Sequence, residues 1–167
     1  MSNYSTYEEK LEAAIAAGED LPEFTADVVN ENGKVTKWGS VFVLNTKPDK
    51  TKGKSIDETV QYTAKLNDGL ALVIFGRAGD ASKSTSTKLQ AEVTHMVELY
   101  VDPIKYLRKE GVRSIQELEE AVLTFLHGLL IEPNAHCNTR LQVKRWHEVG
   151  HPEMYATRIE LSRPFGI

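Results

Sequence analysis

The residues best suited to chemistry are the five from His147 to His151, which read His-Glu-Val-Gly-His. In zinc hydrolases this pattern places two histidines one helical turn apart to bind Zn²⁺, and the glutamate acts as general base. Such a site requires a helix, but Gly150 lies within the five residues and Pro152 follows directly, and proline breaks a helix. On a strand the two histidines would lie roughly 13 Å apart. We interpret the segment as the bend of a hairpin, with zinc hydrolysis by His147, Glu148 and His151 as the alternative.

The other residues with chemical potential have simpler interpretations. His95 falls on the apolar face of a predicted strand and His127 lies inside a predicted helix, so each is expected to be a hydrogen-bonded core or interface residue. Cys137 is the only cysteine, which excludes an internal disulfide. The stretch from Gly76 to Asp80 lacks the Lys-Ser/Thr ending of a phosphate-binding P-loop. We predict no catalytic residues, no bound metal and no cofactor.

Basic residues concentrate in two polar loops, at 47–54 and 77–88. Such loops are usually just solvated. If both project to one side, however, copies of the chain in an assembly would present a basic surface to a negatively charged molecule. The residues of this hypothetical partner- or DNA-facing surface are Lys47, Lys50, Lys52, Lys54, Arg77, Lys83 and Lys88.

The strongest helix signal runs from Ser114 to Ile131. Ser114 and Glu117 have the spacing of a capping box, in which each side chain binds a free amide at the helix start. Seven apolar residues then recur at steps of three and four and form one stripe. Glu132-Pro133 is expected to end the helix. The stripe predicts that this helix packs against a sheet.

Four strand patterns flank this helix, two on each side. Leu89 to Val101 has the clearest alternation, with one face buried and the other, including Glu98, wet. The remaining patterns span Leu70–Phe75, Thr139–Val149 and Tyr155–Arg163. We predict an α+β fold with a mainly antiparallel sheet, a β-β-α-β-β core and the long helix packed on one face. Gly76 to Lys88 is predicted to be a loop.

The first third of the chain predicts a helix followed by a hairpin. A capping box at Ser5 and Glu8 begins a helix over Thr6–Ala17. Strand patterns over Phe24–Glu31 and Lys34–Leu44 flank Asn32-Gly33, a dipeptide typical of type I′ turns. Residues 55–66 predict a third helical segment, with a strand as the competing interpretation. We expect one domain over residues 1–167, with its core at about 60–165 and the helix and hairpin at 1–54.

Composition narrows the classes of function. The chain has 167 residues, of which 41% are hydrophobic and 26% charged, as in an ordinary globular domain. Its net charge of -4 argues against a general nucleic-acid-binding protein, which would carry a basic face large enough to make the domain basic. No apolar run approaches the roughly 18 residues that span a membrane, and no basic-then-apolar signal pattern begins the chain. We expect an intracellular protein without a membrane partner.

In layout, the chain resembles the tail terminator (tail-completion) proteins of long-tailed bacteriophages. The resemblance rests on the short strand Leu70–Phe75, the Ser/Lys loop, the alternating strand Leu89–Val101, the capped helix Ser114–Ile131 and the final strand pair containing Trp146. It covers roughly residues 60 to 165. It implies a virion protein, assembled in the host cytoplasm, that forms a ring, usually of six subunits, and has no catalytic residues. In that family the ring stops growth of the tail tube, joins the tube to the head connector, and lets DNA pass through its lumen.

Two features depart from this layout, and alternatives stay open. The hairpin around Asn32-Gly33 and the lysine-rich insertion are additional, so another phage neck or head-completion protein is an alternative. A small zinc-dependent hydrolase and a non-viral adaptor domain are the alternatives from other classes. Metal analysis separates the zinc-dependent hydrolase from a ring protein, and the oligomeric state of the purified chain tests the ring.

Overall fold

A β-sheet forms the centre of the molecule. The structure is a computed structural model, and it describes residues 7–24, 28–29, 32, 35–36, 41–43, 58, 60–61, 64–65, 69–80, 85, 87, 90–131 and 140–166. The helices are α1 (Tyr7–Ala17), α2 (Pro103–Tyr106) and α3 (Ile115–Leu126), with a 3-10 turn at Pro22–Phe24. The strands are β1 (Val28–Val29), β2 (Val35–Thr36), β3 (Val41–Val43), β4 (Leu70–Asp80), β5 (Gln90–Val101), β6 (Gln142–Val149) and β7 (Tyr155–Gly166).

The predicted α+β class and β-β-α-β-β order are confirmed. Among the described residues, the main sheet has five strands in the order β3-β4-β5-β7-β6. The four strands β4, β5, β7 and β6 pair antiparallel. Along the chain, β4 and β5 precede α3 while β6 and β7 follow it. The central pair, β5 and β7, is in register over the whole of both strands, from Gln90 opposite Gly166 to Val101 opposite Tyr155.

The predicted hairpin around Asn32-Gly33 is described at β1 and β2. β1 pairs antiparallel with β2, with Val28 opposite Thr36. The prediction of one continuous second strand over Lys34–Leu44 is wrong, because Val41–Val43 leaves the hairpin and pairs parallel with β4 of the main sheet. Burial explains the change of partner, since Val41 and Val43 are both almost fully buried in the main core.

β4 extends five residues beyond the predicted strand. Gly76 to Asp80 was expected to be loop, and that prediction is wrong, because these residues continue to pair with β5 as far as Asp80 opposite Glu92. The pairing shifts register between Ile74 and Arg77, as at a β-bulge. A long partner strand satisfies the backbone amides and carbonyls of this Gly-rich stretch, and this outweighs its low strand propensity.

α3 begins where predicted and ends earlier. The Ser114 hydroxyl accepts a hydrogen bond from the amide of Glu117 at 3.1 Å, which confirms the N-cap. The predicted end at Glu132-Pro133 is wrong, because the helix ends at Leu126 and Gly128 adopts φ +83°. Glycine takes this left-handed conformation at little steric cost and commonly ends helices in this way.

Two apolar clusters lie on opposite faces of the sheet. The larger cluster contains Leu72, Ile74 and Leu99 of the sheet, together with buried residues of α1 and α3. These helix residues are Tyr7, Leu11, Ile15, Leu118, Val122 and Leu126. The smaller cluster joins Ala71 and Val73, which alternate to the other face of β4, with Val60 and Ala64.

Val60 and Ala64 belong to the segment for which a helix and a strand were both considered. Glu58, Val60, Gln61, Ala64 and Lys65 are the described residues between 55 and 66, and all are helical. The helical interpretation is therefore confirmed for these residues. The sheet carries helical residues against both of its faces.

Gly69 begins β4 with φ +89°, and a side chain there would collide with the chain after β5. An added Cβ would lie 2.9 Å from the Asp102 carbonyl oxygen and 3.0 Å from the Tyr106 amide nitrogen. Gly111 has a similar φ of +75°, but a Cβ there meets no atom within 4 Å.

We predict that Gly111→Ala lowers the free energy of unfolding by about 1 kcal/mol and Gly69→Ala by about 2–3 kcal/mol. Equal losses in urea unfolding would contradict the steric argument.

A bidentate ion pair joins the turn after α1 to the residues before α3. Arg113 donates from Nε and Nη2 to the two carboxylate oxygens of Glu23, each at 2.7 Å. Nη2 also donates to the Asp20 carbonyl oxygen at 3.0 Å. Burial raises the pKa of the Glu23 carboxyl, but the hydrogen bonds and charge of Arg113 outweigh burial and hold that pKa below its usual value.

We predict that Arg113→Ala lowers the free energy of unfolding at pH 7 by about 1–2 kcal/mol, because these charge-assisted bonds are partly buried. A carboxyl with a lowered folded-state pKa stabilises the protein above its ordinary pKa and loses that contribution as pH falls through the lowered value. The difference between wild type and Arg113→Ala in urea unfolding should therefore shrink below about pH 4.5. Arg108→Ala, at an exposed arginine, is the control and should change stability little at either pH.

Candidate functional site

The His-Glu-Val-Gly-His segment lies at the end of a strand and in the following turn. His147 and Glu148 belong to β6, where they stand opposite Arg158 and Thr157 of β7. This confirms the bend of a hairpin and excludes the continuous helix on which the zinc-hydrolase alternative depends. His151 instead organises the turn, because its Nδ1 accepts hydrogen bonds from the amides of Glu153 at 3.1 Å and Met154 at 3.0 Å.

The described residues do not bring together a set of side chains that could bind a metal ion. Among residues 7–166 with the gaps given above, no three His, Cys, Asp or Glu side chains group closely enough to hold an ion. The imidazole of His151 also packs edge-on against the Tyr100 ring, with 5.9 Å between the centroids. Its position is explained by turn structure and packing.

The hypothetical basic surface falls almost wholly outside the described residues. Lys47, Lys50, Lys52, Lys54, Lys83 and Lys88 all lie there. The backbone of Arg77 is described, and it belongs to β4, opposite His95 of β5, instead of to the predicted loop. That the two loops project to one side stays a prediction.

The two remaining candidate histidines have different environments. His95 is fully buried on the inner face of β5, as predicted. His127 is exposed, so it is not a core residue, and its expected alternative place in an interface stays a prediction. It is the residue at which α3 ends, and its Nδ1 accepts a hydrogen bond from the Val143 amide of β6 at 3.1 Å.

β6 is an edge strand, and only its first residues are covered on the outer side. Leu141 exchanges backbone hydrogen bonds with Gly128 and Leu129 at 2.6 and 2.9 Å, and His127 binds the Val143 amide. Beyond this point, in the part of the chain that the structure describes, no strand pairs with the outer side of β6. We call Lys144–Val149 the open edge.

The open edge combines charged side chains with one large exposed aromatic ring. Trp146 is 53% exposed, among the largest exposures of an apolar side chain in the described residues. Arg145 donates two hydrogen bonds to the Glu160 carboxylate, and the amine of Lys144 lies 3.8 Å from a carboxylate oxygen of Glu92. Charged residues normally protect an edge strand from pairing, whereas an exposed tryptophan favours contact with another surface.

The pairing of Arg145 with Glu160 follows from the hairpin register. Counting back from the turn, Val149 lies opposite Ala156 and Arg145 opposite Glu160, and the register shifts only beyond this point, between Val143 and Arg145. The hydrogen bond from Arg145 is the main cause of a lowered pKa for the Glu160 carboxyl. The pair therefore stays charged near neutral pH and keeps one face of the open edge polar.

The outer face of β5 is not uniformly wet. Glu98 is only 3% exposed, which contradicts its predicted position on the solvated face. Arg158 donates from Nε to its carboxylate at 2.8 Å, and the Tyr100 hydroxyl donates to the second oxygen. The alternation correctly separated the two faces, but it could not show that the helical residues near Val60 and Ala64 cover part of the second one.

A polar contact also joins α3 to β7 on the inner face. The hydroxyls of Tyr155 and Thr157 both donate to Glu119 Oε2, the latter at 3.0 Å. Burial, followed by the hydrogen bond to Glu119, raises the pKa of the Tyr155 hydroxyl. This contact joins α3 to β7 and helps to orient α3 on the sheet.

Comparison of the chain with models of known protein families and with curated proteins gives no match. None of the described helices is long and apolar enough to cross a membrane. The geometry shows an α+β protein in which one edge strand of the mixed sheet, β6, is partly covered.

We predict that the purified chain holds no stoichiometric zinc, because His147 and Glu148 are committed to a strand and His151 to a turn. Metal content measured by mass spectrometry should be the same for wild type and His147→Ala. Stoichiometric zinc that disappears in His147→Ala would instead support the hydrolase.

Proposed function

We propose that this chain is a structural virion protein that forms a ring of identical subunits at the end of a phage tail tube and joins that tube to the head connector. The observation that carries the proposal is the open edge of β6 with its exposed Trp146. The resemblance in layout supplies the identity of the partners, and the open edge supplies a surface through which copies of the chain can associate.

The open edge suits association for two physical reasons. An edge strand presents backbone amides and carbonyls that another strand can pair with, and pairing across subunits satisfies them. Trp146 adds a large apolar surface, and buried tryptophans dominate the binding energy of many interfaces. The covered residues Leu141 and Val143 limit such pairing to the second part of the strand.

The form of the sheet allows a ring. Among the described residues the sheet ends on two unlike strands, β3 and β6. An interface between unlike surfaces is heterologous, and repeated heterologous contacts close into a ring when the rotation allows. A ring of six subunits is the expectation from the layout.

The confirmed β-β-α-β-β order supports the resemblance on which the tail role rests. Contact of the lysine-bearing loops with DNA stays a prediction from the sequence. Another neck or head-completion role uses the same assembly surface and is the second candidate. The zinc hydrolase is disfavoured, because its motif occupies a strand and a turn.

We predict that the chain is oligomeric at micromolar concentration, and that Trp146→Glu weakens association about 30-fold, as expected for loss of an interface anchor worth about 2 kcal/mol. Light scattering coupled to size-exclusion chromatography measures the mass, and negative-stain images show whether the particle has a lumen.

Leu107→Glu is the matched control, because Leu107 lies at the end of α2 and is as exposed as Trp146, at 53%. It should leave the oligomer intact. A monomer at all concentrations, alone and with a tail-tube protein, would overturn the proposal.

A further inference from the structure

A buried cluster of ionisable side chains holds the start of α1 against the sheet. His95, on the inner face of β5, is 0% exposed. Its Nε2 accepts a hydrogen bond from Nε of Arg163 at 3.0 Å, and its Nδ1 lies 3.5 Å from a carboxylate oxygen of Glu8. The Tyr7 ring stacks on the imidazole with 4.8 Å between centroids.

Arg163 connects the same residues from β7. Its guanidinium carbon lies 3.9 Å from the centroid of the Tyr7 ring, which is cation–π geometry. Glu8 and Arg163 are themselves buried, at 6% and 8% exposure. α1 therefore presents a carboxylate and an aromatic ring to a histidine and an arginine of the sheet.

The hydrogen bond from Arg163 fixes the protonation state of His95. Arginine stays charged and can only donate, so the imidazole nitrogen that accepts from it carries no proton. The imidazole is then neutral, with its one proton on Nδ1, directed toward Glu8. The charges of Glu8 and Arg163 balance, and the cluster as a whole is neutral.

We propose that His95 is a proton-sensitive latch that holds α1 on the sheet at neutral pH and releases it on acidification. A second proton on Nε2 would place two N–H donors 3.0 Å apart and face to face, and would leave one uncompensated positive charge in a buried site. The described side chains that contact His95 are Tyr7 and Glu8 from α1 and Arg163 from β7.

The direction of the pH effect follows from which state binds the proton. With α1 docked, His95 and Arg163 are buried under the Tyr7 ring, which contacts both side chains, and Nε2 accepts the Arg163 hydrogen bond. Once α1 leaves, water reaches both side chains, and a solvated histidine takes up a proton near pH 6.5. Docking is therefore complete above that pH, and acidification favours release. Release exposes Leu11 and Ile15, both fully buried in the docked state, together with the sheet face that they cover.

Hydrogen exchange read by mass spectrometry tests the latch on the intact chain at pH 7.5, 6.5 and 5.5, with each rate scaled for intrinsic exchange. We expect protection of Tyr7–Ala17 to fall about tenfold from pH 7.5 to 5.5, with about fivefold of this between pH 6.5 and 5.5, while β7 changes little. In His95→Gln, which cannot take up a proton, protection of α1 should not vary over this range. His136→Gln removes a histidine outside the cluster and outside the open edge, and it should respond as wild type does.

Protection of α1 that is constant in wild type from pH 7.5 to 5.5 would overturn the proposal, as would an acid response that persists in His95→Gln. Where His95→Gln does not fold, ¹⁵N NMR of the wild-type imidazole decides. An unprotonated Nε2 at pH 7.5 that gains its proton together with the loss of α1 protection supports the latch. A doubly protonated His95 with α1 still docked contradicts it.

Discussion

The continuous pairing of β5 with β7 is the constraint on which the rest of the structure depends. Every residue from Gln90 to Val101 has a partner between Tyr155 and Gly166, with no shift in register. Because side chains alternate along a strand, this one register decides which of them face the apolar core and which face the other side. A slip by one residue would exchange the two sets, so the core and the polar contacts depend on the same alignment.

Several polar side chains of β5 and β7 contact a partner side chain from another helix or strand. On the inner face, α1 brings Glu8 to His95, and α3 brings Glu119 to Thr157 and Tyr155. On the outer face, Arg158 and Tyr100 bind the buried Glu98. Such buried groups are costly without partners, so they help to specify how the helices sit on the sheet. None of these arrangements requires a substrate to explain it.

The parts of this fold that depend on local patterns could be predicted from the sequence. Ser114 marks the start of α3, the alternation after Leu89 marks β5, and Gly150 with Pro152 argues against a zinc-binding helix. The parts that depend on distant partners could not. Gly76 to Asp80 is a strand because β5 continues beside it, and Val41 to Val43 joins β4 because their side chains fill the core.

The same distinction applies to the candidate site. Composition and spacing pointed to lysine-bearing loops, whereas the described structure directs attention to the open edge, which requires knowledge of strand order. Trp146 was visible in the sequence only as one residue of a strand pattern. Its exposure follows from lying on the outermost strand, beyond the reach of the core residues that α3 buries.

The central claim is that copies of this chain associate through the open edge, Lys144–Val149. A cryo-electron microscopy reconstruction of the native assembly tests it most directly, at a resolution that traces the backbone. The account predicts a closed ring in which a strand of the neighbouring subunit continues the sheet beside β6 and covers Trp146. An assembly in which the open edge and Trp146 face solvent would contradict it.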